Sequence, residues 1–112
     1  MFKRKETTSP DKAYVINWIN TSLLPLRSDI TRMTKKIYVH MEALKIYSSE
    51  DMLSVIRNNK HYLSLLVDEY TSVRQEIVSY IDSHQVEINH PPEAREAIVQ
   101  EIEYLLGVHN KG

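Results

Sequence analysis

Five histidines, His40, His61, His84, His90 and His109, are the side chains best suited to chemistry in this sequence. A helical metal site needs two imidazoles four residues apart on one face, with an acidic residue completing the set, and no pair here has that separation. His61 stands beside Lys60, the neighbourhood a histidine phosphotransfer module needs. It is followed by Tyr62, Leu63 and Leu65, however, with no glycine nearby to let a partner approach. Arg57 and His61 have only three residues between them, too close for the arginine–histidine pair of helical ribonucleases. Glu101 and Glu103 are spaced to diverge on a helix, as a solvated face does. The sequence therefore offers no catalytic, cofactor-binding or metal-binding set.

Composition narrows the remaining chemistry. The chain has 112 residues, no cysteine and only two glycines, Gly107 and Gly112. Phosphate-cradling loops, dinucleotide fingerprints and nucleophile elbows all need glycine backbones, so they are absent. The same shortage removes most primed hairpin turns and disfavours an all-β domain. At 42% apolar and 26% charged residues, the length suits one domain rather than two. Residues 1–8, with Lys3, Arg4 and Lys5, read as a disordered basic arm, residues 9–106 as one helical bundle, and residues 107–112 as a disordered tail. No apolar run suits a signal peptide or membrane span, so a cytoplasmic protein is expected.

Elements that would position these side chains follow from apolar spacing. Ser9, Pro10 and Asp11 signal a helix start, with Val15, Trp18, Ile19 and Leu23 at helical spacing after it. Pro25 is expected to break that first helix, giving a segment of about 10–24. Leu26, Ile30, Met33, Ile37, His40, Leu44 and Tyr47 then alternate in steps of four and three, a heptad seam. After Ser48, expected to cap against Asp51, the pattern resumes at Met52, Ile56, Asn59, Leu63, Leu66, Tyr70, Val73, Ile77, Tyr80 and His84. Pro91 and Pro92 force a new start, and a last helix of about 92–106 ends on Gly107 as C-cap. The predicted fold is all-α: a long antiparallel helical hairpin (26–47 and 50–84) with shorter flanking helices, a three- or four-helix bundle.

Folding the chain at Ser48 and Ser49 brings Leu44 near Ile56, Ile37 near Leu63 and Met33 near Leu66. It also brings His40 near Asn59, and the pair is read as a candidate buried polar layer that would fix register. Residues 26–47 carry five basic and two acidic side chains, and residues 61–84 one basic and four acidic, so the arms attract. Arg32 with Asp68, and Glu42 with Arg57, are the expected cross-arm pairs.

Seven tyrosines against one phenylalanine suit groove edges and interfaces. Tyr38, Val39, Leu65 and Val67 lie off the seam, together with Met41, Ile46, Leu53, Val55 and Tyr62. The flanking helices are expected to stop short of the hairpin tip. Met41, Ile46, Leu53, Val55 and Tyr62 are therefore the candidate interface for a homodimer or a helical heteromeric partner. The expected function is a non-enzymatic protein–protein interaction module of small regulatory, adaptor, immunity-type or chaperone-like character. A nucleic-acid-associated regulator is the alternative, because residues 1–60 carry a net +5 and residues 61–112 a net −6. It would use the basic arm with Arg32, Lys35 and Lys36. A phosphotransfer-like module on His61 is third. Trp18 is followed by Ile19 and Asn20, so the tryptophan-any-glycine turn of small secreted helical hairpins is missing, and no family resemblance is evident.

Overall fold

The two heptad seams become two packed helices. A computed structural model describes residues 10–107. Among them the chain forms α1 (Pro10–Trp18), a π turn (Ile19–Leu23), α2 (Leu24–Ile46), α3 (Glu50–His84) and α4 (Arg95–Leu105), with no strand. The basic arm, Ser9 and the last five residues lie outside the described region. Ile30 and Ile37 from one seam, and Ile56, Leu63, Leu66, Tyr70 and Ile77 from the other, form the buried core. The molecule is a rod of 68 × 25 × 19 Å.

Pro25 does not break the first helix. α1 and α2 form one continuous helical run, joined by a π turn in which Leu24 N–H donates to the Ile19 carbonyl. A proline clashes with the carbonyl four residues before it, here that of Thr21, and the wider turn accommodates the ring. The buried residues record the extra residue. Leu23, Ile30 and Ile37 are spaced by seven, but Val15 lies eight before Leu23 and is fully buried, while Ile16 is exposed. One inserted residue thus keeps Val15 pointed at the core. α1 consequently extends the hairpin instead of folding back over it, and it packs on the far end of α3. There Tyr14, Trp18 and Tyr80 form an aromatic cluster with centroids 5.2–6.1 Å apart, and the Tyr80 hydroxyl donates to Asp11 at 3.0 Å.

The hairpin turn is capped one residue later than expected: Ser49, not Ser48, accepts from Met52 N–H at 3.2 Å. α3 ends with Gln85 in the left-handed region (φ 52°), and Val86 N–H returns to the Ile81 carbonyl at 3.0 Å, closing a Schellman motif. Gly107 does cap α4, with φ 76°.

Helix α4 begins at Arg95, later than the expected 92, because Pro91 to Ala94 remain extended. Glu93 thus lies outside the helix. The connector climbs about half the length of α3 before α4 starts, and Arg74 Nε donates to the Pro92 carbonyl at 3.2 Å. α4 then runs beside α2 toward the tip, its end (Tyr104 to Gly107) lining a groove with Lys35, Tyr38, Glu42 and Lys45. It thus reaches the level of Glu42 and Lys45, close to the tip that the flanking helices were expected to stop short of.

Candidate functional site

One side of the hairpin is fastened to α4 by Arg27. Its guanidinium donates to Glu93 Oε1 at 3.0 Å, to Glu101 Oε1, and to Thr31 Oγ1 at 2.8 Å. Burial opposes the charge, but the two carboxylates outweigh it and raise the Arg27 pKa. The Tyr70 hydroxyl, deep in the core, donates to the Glu93 carbonyl at 3.0 Å. Burial, then the nearby Glu93 carboxylate, pushes that phenol up.

Those contacts identify which flank of each helix faces α4. Thr34 and Met41 follow Arg27 at intervals of seven, so they share its side of α2. Thr34 is fully buried, its hydroxyl bonded to the Ile30 carbonyl at 2.7 Å, and Met41 is half-buried against the core. Val67, Lys60 and Leu53 precede Arg74 at the same interval and share its side of α3. Val67 is buried. The sequence placed Met41 and Val67 off the seam; α4 makes their flank a second packing surface.

The opposite flank carries no packed element among the described residues. On α2 it presents two heptad-spaced rows, Arg32–Val39–Ile46 and Asp29–Lys36–Ala43. On α3 it presents Val55–Tyr62–Glu69–Glu76, with Leu65 at the outer edge. Val39 is 62% exposed, Ile46 80%, Tyr62 49% and Leu65 51%. Asp29, Arg32, Met33 and Lys36 line a shallow groove with Tyr62 and Leu66, which places Lys36 level with Tyr62.

The five candidate interface residues therefore separate. Ile46, Val55 and Tyr62 lie on the open flank and are exposed. Leu53 is exposed on the α4 side, and Met41 is partly withdrawn into the core there. The candidate polar layer is not a bonded pair: His40 Nδ1 lies 2.9 Å from the Lys36 carbonyl of its own helix, and Asn59 Nδ2 is buried without a partner. Expected cross-arm ion pairs are replaced by local ones, Arg32 with Asp29 at 2.8 Å and Lys45 with Glu42 at 2.9 Å. Side chains three residues apart on one helix meet without ordering a second helix, which favours the local pairs. Val67 was visible in the sequence only as an apolar residue off the seam, and nothing there linked Arg27, Glu93 and Thr34 to α4, since periodicity within one helix does not report where a distant helix returns.

No group of three or more histidines, aspartates or glutamates gathers to hold a metal among the described residues, and no described helix is long and apolar enough to cross a membrane. The fold and this flank define a class in structural terms alone: a long helical hairpin braced on one side by a third helix. No family model, curated protein or solved structure matches the chain.

Proposed function

We propose that this protein is a non-enzymatic helical interaction module that binds another protein chain through the flank opposite α4. The observation that carries this reading is the set of exposed Val39, Ile46, Val55, Tyr62 and Leu65 on a hairpin whose other flank is braced by α4. Isolated exposed apolar residues are ordinary, but five on one flank form the kind of surface that another chain covers. Tyrosine at its centre suits an interface, because the ring is buried while the hydroxyl stays near water. A small regulatory or adaptor role in the cytoplasm is compatible with such a surface.

The test compares Tyr62→Glu on the open flank with Tyr38→Glu, also exposed but on the α4 side. Binding of any protein chain, its own copy or another, should weaken about tenfold or more in the first and change little in the second. Equal retention by both variants, with helicity unchanged, removes the open flank as the binding surface.

A further inference from the structure

Resting on that reading, we infer that the occupant of the open flank is a second copy of this chain, related by a twofold axis running along the rod, so that the two tips lie side by side. The argument is one of charge and height. On this flank α2 presents Lys36 and the Arg32–Asp29 ion pair, and α3 presents Glu69 and Glu76. Among the described residues Lys36, Glu69 and Glu76 have no ion-pair partner within the chain.

A twofold axis along the rod places α2 of one copy over α3 of the other at equal height. Because Lys36 is level with Tyr62, each Lys36 then approaches the partner copy's Tyr62 ring, a cation–π geometry. Arg32, one turn further from the tip, approaches the partner copy's Glu69. The other face-to-face arrangement, with the axis across the rod, places α2 antiparallel on α2 and, with the axis at the height of Tyr62, sets each Lys36 against the partner copy's Lys36. Like charges facing each other across an interface disfavour it. Size agrees as well. α2 spans about 35 Å and two helices about 20 Å, a face of about 700 Å² before side-chain relief, near the roughly 800 Å² a stable interface takes from each partner.

Light scattering with a concentration series establishes self-association, and a spin label at Ser48→Cys fixes its direction. The chain has no cysteine, so the label is unique, and Ser48 is an exposed tip residue. Tyr62 lies about 20 Å below the tip, so the parallel arrangement sets the labels within roughly 25 Å, and the crosswise one sets them about 40 Å apart or more. The expected result is a dimer at micromolar concentration with the short distance. It should weaken about tenfold in Tyr62→Glu and, separately, in Lys36→Glu, while Tyr38→Glu leaves it intact. A monomer at every concentration overturns the inference, as does a dimer with the long distance or one indifferent to both open-flank variants. Capture of a different protein that is lost in Tyr62→Glu, by a monomeric wild type, overturns the self-association and leaves the interaction reading standing.

Discussion

Tyr70 shows how much a single side chain ties together here: its ring belongs to the hairpin core, and its hydroxyl holds the connector that starts α4. Tyr70→Phe keeps the ring and removes one hydrogen bond, an expected loss of about 1 kcal/mol in chemical denaturation. The raised phenol also makes a pH prediction. A tyrosine with a higher pKa folded than unfolded retains its proton in the native state after the unfolded chain has lost it. Its contribution is complete below the ordinary value near 10 and is lost as pH rises through the folded value. Tyr80, raised by burial and then by its bond to Asp11, acts in the same direction. Stability should therefore fall on the alkaline side above about pH 10, and the fall should be shallower in Tyr70→Phe when melts are recorded across that range. Asn59 gives the opposite kind of prediction. Its buried amide nitrogen lacks a partner, so Asn59→Leu should raise stability by about 1–3 kcal/mol. A drop in melting temperature would show that the amide is satisfied in solution.

At the scale of elements, two joints decide the shape. The first is the π turn, where an eight-residue step between Val15 and Leu23 replaces the seven of the seam. If it exists to absorb one residue ahead of Pro25, deleting exposed Asn20 alone should cost about 3 kcal/mol, because the proline ring then meets a regular helical turn. Deleting Asn20 together with Pro25→Ala should recover most of that loss, as followed by thermal melts. Recovery that fails would mean the bulge serves a contact other than register. The second joint is Arg27, which holds α4 through Glu93 and Glu101. Arg27→Ala should lower stability by about 1–2 kcal/mol, discounted for the partly exposed carboxylates. Hydrogen exchange should show α4 amides opening before those of α2 and α3. Uniform acceleration across all three helices would argue against α4 as a separately releasable brace.

The whole molecule is a rod with a radius of gyration of 18.7 Å, against about 13 Å for a compact chain of this length. That elongation limits the apolar surface one copy can bury and leaves one flank without a packed element among the described residues. It also makes the proposed assembly visible by small-angle scattering. Two rods joined along their length with tips together keep a maximum dimension near the 68 Å of one copy. An end-to-end or crosswise pair lengthens the particle clearly. Association steered by Arg32 and Lys36 should also weaken as salt is raised, because exposed charges are screened within about 10 Å at 0.1 M.

The hairpin was legible from sequence because its evidence is local and repeated: every turn of 26–47 and 50–84 restates the same apolar stripe, so the helices, their seams and the fold class follow without tertiary information. The helix stop at Gly107 was equally plain, since a glycine past the last apolar position supplies the left-handed residue a helix end needs. Pro25 was misleading by the same local logic. A proline breaks an isolated helix, but packing of Val15 and Trp18 against α3 sustains the run through a widened turn. Most of all, the position of α4 was decided by tertiary structure. Arg27 meets Glu93 and Glu101 across more than sixty residues of chain, and no periodicity encodes such a contact. That placement withdrew Met41, buried Thr34 and Val67, and left Ile46, Val55 and Tyr62 together on the open side. Apolar spacing sets which residues leave the seam, whereas the return of the last helix sets which of them remain for a partner.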